Sequence, residues 1–138
     1  MFIPISISNF HLLSRFIGSI GSSGNTFRYF ESRDMYSCID NHEKTILLIN
    51  NEKPIGYGHL DRDSSDGKLW LGICLIEGFT GKGYGKLIMH ELLKNQSENI
   101  YLSVDKLNKA GYNLYKKSGF SLESSTDKMH FMVKEFND

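Results

Sequence analysis

Hydrophobic and polar positions follow different periods along the chain, and each period predicts a different element. Apolar residues alternate between residues 3 and 7, and they then recur at helical spacing between residues 10 and 20. Ser8 or Asn9 is placed to cap that helix, because short polar side chains accept hydrogen bonds from the first helical N–H groups. The pattern therefore predicts a short strand followed by an amphipathic helix.

From residue 44 the chain takes on the composition of β-strands. TILLIN (45–50) and IGYGHLD (55–61) are joined by the turn sequence NEKP, which predicts a hairpin. After a second turn sequence, RDSSDGK, the run LWLGICLI (69–76) is almost continuously apolar, as expected of a strand covered on both faces. We therefore predict three consecutive strands in this part of the chain.

The C-terminal half alternates between helical and strand-like periods. A helix is predicted around residues 84–92, followed by the strand NIYLSVD (99–105) and a helix within KLNKAGYNLYKKSG (106–119). FSLES (120–124) and KMHFMVKEF (128–136) predict a closing pair of strands. The residues expected on one side of the second helix are Leu107, Ala110, Leu114 and Tyr115.

The order of elements predicts the fold class. A strand, a helix and a strand within residues 69–104 imply a parallel pair joined by a right-handed crossover, whereas the other strands are expected to pair largely antiparallel. The chain is therefore predicted to be an α+β protein with one mixed sheet. Its 138 residues, with no linker or repeat, are expected to form a single domain over residues 1–138.

Charge and composition restrict the expected partners. Sixteen Lys and Arg residues balance 16 Asp and Glu residues, so no excess of cations exists to follow a nucleic-acid backbone. No apolar run approaches the roughly 18 residues of a membrane span, and the N-terminus lacks signal-peptide features, so a cytoplasmic location is expected. Cys38 and Cys74 show no metal-ligand spacing and the five histidines are scattered, so no metal site is predicted.

The stretch FTGKGYGKL (79–87) is the first candidate for chemistry. A glycine-rich turn that enters a helix presents several unpaired N–H groups to an anion, and the helix dipole adds partial positive charge. Lys82 and Lys86 add formal charge, so the stretch is suited to cradle a pyrophosphate. Its spacing fits neither the dinucleotide-binding GxGxxG motif nor the Walker motif. A plain strand-to-helix turn is the alternative interpretation.

A second motif, NKAGYNLYKKSGF (108–120), has the form N-x-A-x4-Y-x3-G-F. Together with GKGYGK after an apolar strand, it resembles the GNAT superfamily of acyl-CoA-dependent N-acyltransferases. The phosphate signature of that family, [QR]xxGx[GA], falls here on residues 80–85, with Thr80 in place of the usual Gln or Arg. The resemblance extends over roughly residues 44 to 136 in the order of elements.

The resemblance implies a mostly antiparallel sheet with helices on both faces, in a three-layer α/β arrangement. Its central parallel pair is splayed to hold acetyl-CoA as co-substrate. The Leu75 N–H is then the expected oxyanion donor, and Tyr115 the expected general acid that protonates the leaving thiolate. A core aromatic remains the alternative for Tyr115, and a plain helix cap for Asn108. The expected acetyl-CoA contacts are Ile73, Cys74, Leu75, Thr80, Gly81, Lys82, Gly83, Tyr84, Gly85, Lys86, Asn108 and Tyr115.

Two further groups of residues are candidates for the acceptor side. His59 and Asp61 share one face of a predicted strand, and either suits the base that an attacking amine needs; a simple surface pair is the alternative. Asp105 and Glu77 are weaker candidates for the base. In FRYFESRD (27–34), the side chains that suit an acceptor site are Arg28 and Arg33 as anion ligands, with Tyr29 and Phe30 as a stacking wall.

The expected function is transfer of an acetyl group from acetyl-CoA to a primary amine of a small molecule, by direct attack in a ternary complex. The chain is similar to small bacterial GNAT proteins linked to surface polysaccharides, which suggests an amino sugar as acceptor. The alternatives are a non-catalytic acyl-CoA-binding or sensor domain, transfer to a protein or peptide amine, and a different nucleotide-binding module. A monomer or a homodimer, without nucleic-acid or membrane partners, is expected.

Overall fold

The computed structural model describes residues 1–25, 27, 29 and 40–136. Within these residues, seven strands form one sheet in the order β1-β2-β3-β4-β5-β7-β6. The strands are β1 Phe2–Pro4, β2 His42–Asn50, β3 Lys53–Arg62, β4 Leu69–Leu75, β5 Ile100–Asp105, β6 Ser121–Ser125 and β7 Met129–Lys134. The α-helices are α1 His11–Gly18, α2 Tyr84–Leu93 and α3 Lys109–Lys117.

The predicted parallel pair is confirmed and is short. β4 and β5 pair in parallel at Leu69 with Ile100 and at Trp70 with Tyr101, whereas all other neighbouring strands in the described sheet pair antiparallel. β4 continues along β3 to Leu75, and β5 continues along β7 to its own end. The two central strands therefore separate beyond the first two residue pairs, which confirms the predicted splayed sheet.

Helices cover both faces of this sheet. Successive residues of a strand point to opposite faces. Tyr57 of β3 stacks on Phe16 of α1, with ring centroids 6.0 Å apart. A Cβ atom at the adjacent Gly58 would instead lie 2.7 Å from Ile88 of α2. α1 and α2 therefore pack on opposite faces, and both Phe16 and Ile88 are fully buried.

The N-terminal helix begins differently from the prediction. Neither Ser8 nor Asn9 caps α1; its N-cap residue is Phe10, and no side chain caps it. The chain instead enters α1 through a short 3-10 helix, Ile7–Asn9, and the Asn9 side chain accepts the backbone N–H of Ser6 at 2.8 Å. The polar side chain therefore stabilises the preceding turn. Within the described residues, no helix has both the length and the apolar character needed to cross a membrane.

Candidate functional site

A cleft of about 250 Å³ lies between the C-terminal half of β4 and α3, beyond the residues at which β4 pairs with β5. Both sequence motifs reach this cleft, one from the loop before α2 and the other from α3. Of the residues expected to contact acetyl-CoA, all except Lys82 and Tyr84 line this cleft. The cleft is also lined by residues that were not predicted from the sequence: Ser23, Phe27, Ala110, Gly111 and Leu114. Ala110 and Gly111 were visible as small residues in the second motif, whereas Ser23 and Phe27 carry no local signal.

The three glycines before α2 have two different structural roles. Gly81 and Gly83 adopt φ angles of +73° and +88°, and a Cβ atom at either would meet no atom within 4 Å. Their backbone conformation requires glycine, and their surroundings leave room for a ligand at the start of the helix. At Gly85, by contrast, a Cβ atom would lie 3.1 Å from Leu114 Cδ2, so this glycine allows α3 to pack closely against α2.

The two lysines of the loop also differ. Lys86 lines the cleft and is placed to neutralise a phosphate there. Lys82 instead lies over the ring of Phe79, with Nζ 5.6 Å from the ring centroid, and Tyr84 packs beside the same ring at 6.1 Å. Phe79 therefore holds the outer side of the loop, and Lys86 is the cation of this motif that faces the cleft.

The backbone of β4 directs an N–H group to the cleft. Ile76 donates its N–H to the Ile55 carbonyl of β3 at 2.9 Å. Successive N–H groups of a strand alternate between its two edges, so the N–H of Leu75 points away from β3 and towards the side from which β5 has separated. Leu75 lines the cleft, and its N–H is therefore oriented as an oxyanion donor must be.

Tyr115 of α3 reaches the same cleft while most of its side chain is buried. Its ring packs edge-on against Phe120, with centroids 6.1 Å apart, and 6% of the residue is exposed. Burial, with a smaller contribution from the neighbouring Cys74, raises the pKa of Tyr115 well above its usual value. The hydroxyl therefore keeps its proton throughout the neutral range, as a hydrogen-bond donor or acid requires.

Asn108 is the N-cap of α3. Its Oδ1 accepts the backbone N–H of Gly111 at 2.9 Å. Asn108 is therefore a helix cap, as the alternative interpretation of the sequence predicted. Asn108 also lines the cleft, and the two roles are compatible because the cap uses only Oδ1. The side chain thus fixes the start of the helix that carries Tyr115.

Cys74 is a buried thiol on the wall of the cleft. Burial raises the pKa of Cys74 from 9.0 to about 12, which leaves the nucleophilic thiolate almost unpopulated at neutral pH. Its Sγ lies 3.7 Å from the Leu75 carbonyl oxygen. These features are those of a packing residue and do not suit a nucleophile.

The raised pKa of Cys74 predicts a measurable effect on alkaline stability. Between pH 9 and pH 12 the unfolded thiol loses its proton while the folded thiol keeps it, so the folded state binds more protons and loses stability as pH rises. The free energy of unfolding of the wild type, relative to that of Cys74→Ala, should fall by about 1.4 kcal/mol per pH unit in that range. Urea titrations of both proteins from pH 7 to pH 11 measure this, and parallel pH dependences would contradict the assignment.

On the face covered by α1, strand pairing aligns polar side chains in two rows that cross the sheet. Residues paired directly across neighbouring strands share a face. The Asp61 row consists of His42, Asp61, Trp70 and Tyr101. The His59 row consists of Thr45, His59 and Gly72. Cys74 follows Gly72 on this face, so the His59 row lies next to the cleft.

Hydrogen bonds connect these rows to Tyr29. The Tyr29 hydroxyl donates to Asp61 Oδ2 at 2.8 Å and also lies 2.8 Å from His42 Nε2. His42 Nδ1 is 2.8 Å from Thr45 Oγ1, and the ring centroids of His42 and His59 are 4.5 Å apart. The expected pair, His59 and Asp61, therefore belongs to one polar cluster with Tyr29; His42 and Thr45 belong to the same cluster, and sequence reasoning had not assigned them.

His59 lies between the Tyr57 hydroxyl and the backbone of Gly72. Its Nδ1 lies 2.6 Å from the Tyr57 hydroxyl, and the residue is 3% exposed. A Cβ atom at Gly72 would come within 2.6 Å of His59 Cε1 and Nε2, so this edge of the imidazole lies directly over Gly72. Only a glycine fits beneath the ring, and Nε2 faces the strand that forms the cleft wall.

The other acceptor-side candidates separate into two groups. Arg28, Phe30 and Arg33 lie outside the described residues. The weaker base candidates have structural partners: Glu77 accepts the Ser22 hydroxyl at 2.6 Å, and Asp105 accepts the Leu107 N–H at 2.9 Å. Glu77 thus ties the N-terminal segment to the end of β4, and Asp105 stabilises the turn before α3. Within the described residues, no cluster of potential ligands fits a metal ion.

Comparisons with known proteins found a match to a protein family. The profile of the Acetyltransferase (GNAT) family matches residues 11–120. No curated protein matches the sequence significantly.

Solved structures share the fold over almost the whole chain. The acetyltransferase of the GNAT family from Streptococcus pneumoniae is 19% identical with a TM-score of 0.73, and the match covers 99% of each chain. The putative acetyltransferase yncA from Salmonella typhimurium, with its cofactor acetyl-CoA, is 12% identical with a TM-score of 0.78, covering 100% of this chain and 94% of that one. PaiA N-acetyltransferase from Thermoplasma acidophilum, in complex with coenzyme A, is 18% identical with a TM-score of 0.73, covering 99% and 98%.

Proposed function

Because the chain belongs to the GNAT acetyltransferase family, we propose that it transfers an acetyl group from acetyl-CoA to a primary amine of a small molecule. The observation that carries this proposal is the cleft between the C-terminal half of β4 and α3. Its walls bring together the glycine-rich loop, the Leu75 backbone and Tyr115, which are the parts that acyl transfer from a thioester requires.

The proposed reaction is direct attack in a ternary complex. Acetyl-CoA supplies the activated acetyl group when it is bound. The loop with Gly81, Gly83 and Lys86 holds the phosphates, and the Leu75 N–H stabilises the negative charge that develops on the carbonyl oxygen. Tyr115 donates a hydrogen bond or proton to the leaving thiolate. The buried, protonated Cys74 takes no covalent part.

His59 is the base that we propose for the amine. An amine attacks only when it is neutral, and imidazole exchanges protons near neutral pH. The edge of His59 that carries Nε2 lies over Gly72, next to the cleft, and Nδ1 is held by Tyr57. In this arrangement the Tyr57 hydroxyl fixes the orientation of the ring through Nδ1, and Nε2 accepts the proton of the amine.

Replacement of His59 by glutamine tests this role. The amide keeps a hydrogen-bonding group near Tyr57 but cannot serve as a base at neutral pH, so kcat/KM should fall about 10²-fold and the acidic limb of the pH–rate profile should disappear. Initial rates from pH 5 to pH 9 measure both effects, with thermal unfolding as a check on folding. A His59→Gln profile of the same shape and height as that of the wild type would exclude His59 as the base.

Release of thiol from acetyl-CoA in the presence of candidate amines tests the function itself. The screen should include alkyl amines, amino sugars and a peptide with a free N-terminus. The resemblance suggests amino sugars as acceptors, and protein or peptide amines are the alternative. Amine-dependent thiol release, with acetylated product identified by mass spectrometry, is the expected result. Binding of acetyl-CoA without thiol release from any of these amines would favour the non-catalytic sensor instead.

A further inference from the structure

Asp61 is a half-buried carboxylate without a cationic partner among the described residues. Within the same part of the chain, its hydrogen bond comes from the Tyr29 hydroxyl, which occupies Oδ2. Other carboxylates on nearby elements are paired, as Glu43 and Glu98 are with Arg62. A partly desolvated carboxylate is stabilised strongly by a cation that comes to it, so Oδ1 of Asp61 is suited to a charged ligand.

Aromatic side chains share the Asp61 row. Trp70 stands directly opposite Asp61 in the pairing of β3 with β4, and its ring lies 5.8 Å from that of Tyr101. Aromatic faces attract ammonium groups. The protein already uses this attraction at the outer end of the row, where Lys68 places Nζ 4.6 Å from the Tyr101 ring centroid. The row therefore combines a carboxylate with aromatic rings, which together suit an alkyl ammonium ion.

The Asp61 row lies at a defined distance from the cleft. Along β4, Cys74 lines the cleft, and Gly72 and Trp70 follow on the same face in steps of about 7 Å. The His59 ring covers Gly72, so an acceptor that reaches from the cleft to Trp70 passes beside this ring. An acceptor whose reacting nitrogen lies near His59 and Gly72 extends its other end over Trp70 and Asp61, one or two steps away.

The same cluster contains two groups that modulate its charge. His42 and His59 lie beside Asp61, and a proton on either ring would oppose the binding of a second cation. Imidazoles are mostly neutral at pH 8, so the negative charge of Asp61 is most effective there. Tyr29, which holds Oδ2, fixes the orientation of the carboxylate.

We infer that Asp61 binds a second ammonium group of the acceptor, and that the preferred substrates are therefore alkyl diamines with a chain of intermediate length. The inference rests on the proposed acetyltransferase function and names its substrate class. One amine reacts beside His59 while the other pairs with Asp61 and packs against Trp70. A monoamine of the same length makes the apolar contacts and lacks the ion pair.

The test compares terminal diamines with monoamines of equal chain length at pH 8. Diaminobutane, diaminohexane and diaminooctane are assayed against butylamine, hexylamine and octylamine by thiol release from acetyl-CoA. Because a hydrogen-bonded ion pair is lost, Asp61→Asn should lower kcat/KM for the best diamine about tenfold to a hundredfold more than it lowers kcat/KM for the monoamine of equal length. The asparagine can still accept the Tyr29 hydroxyl, so the fold is preserved. Glu123→Gln, an exposed carboxylate on β6, controls for the change in net charge.

Each outcome of this comparison is decisive. A wild-type preference for diamines that disappears in Asp61→Asn and persists in Glu123→Gln supports the inference. Equal activity on diamines and monoamines, a preference that survives Asp61→Asn, or activity on amino sugars or peptides alone would overturn the inference and leave the acetyltransferase function intact. Absence of thiol release with every amine would overturn the proposed function, and the inference with it.

Discussion

Replacement of Tyr115 by phenylalanine should lower kcat about 10²-fold and leave the affinity for acetyl-CoA nearly unchanged. The variant keeps the ring that packs against Phe120 and loses only the hydroxyl. Since the raised pKa keeps that hydroxyl protonated, its loss removes the donor that stabilises the departing thiolate. Steady-state kinetics of thiol release, together with calorimetric titration of acetyl-CoA, separate the two effects.

Tyr112 provides the matched control for this variant. It lies on the same helix, and its ring packs at 4.9 Å from that of His130, away from the residues that line the cleft. Tyr112→Phe should therefore have wild-type kcat. A Tyr115→Phe protein with wild-type kcat would remove the role of acid, and one with weakened acetyl-CoA binding and normal kcat would make Tyr115 a binding residue.

Substitution of Gly81 by alanine should weaken acetyl-CoA binding about tenfold to a hundredfold. A side chain disfavours the φ angle of +73° at this position, so the loop shifts and its N–H groups no longer converge on the phosphates. Hydrogen bonds to a charged group contribute about 1.5 to 3 kcal/mol, which corresponds to that change in affinity. Calorimetric titration of acetyl-CoA measures the dissociation constant.

Gly67 offers a control with almost the same backbone conformation. Its φ angle is +72°, a Cβ atom there would also meet nothing within 4 Å, and it lies in the turn between β3 and β4. Gly67→Ala and Gly81→Ala should each lower the free energy of unfolding by about 1 to 2 kcal/mol. Only Gly81→Ala should weaken the binding of acetyl-CoA. Equal dissociation constants for the two variants would show that the loop before α2 does not hold the phosphates.

Much of the fold was predictable because its elements have strong and distinct periods. The hairpin, the apolar β4 and the crossover through α2 all follow from such patterns, and the parallel pairing of Leu69 with Ile100 confirms the crossover. Predictions failed where tertiary contacts decide the local structure. Leu107 was expected on the same side of the last helix as Tyr115, yet it precedes α3, which begins only at Lys109, and it is 83% exposed.

The site was predictable to different extents on its two sides. The glycine-rich loop and Tyr115 lie within the two motifs that resemble the GNAT pattern, and the resemblance assigned both to one site. The acceptor face depends on strand register, which aligns His42 of β2 with Asp61 of β3, and no local pattern reveals that alignment. The different roles of Gly83 and Gly85 were also hidden, because the contact with Leu114 comes from another helix.

Calorimetric titration of acetyl-CoA into the purified protein, with ATP as the control ligand, is the most direct test for an acyl-CoA site in the cleft. Both ligands carry an adenosine with a chain of phosphates, whereas only acetyl-CoA carries a pantetheine arm that ends in the acetyl thioester. We expect micromolar binding of acetyl-CoA that ATP does not reproduce. Absence of binding, or equal binding of ATP, would contradict an acyl-CoA site in this cleft.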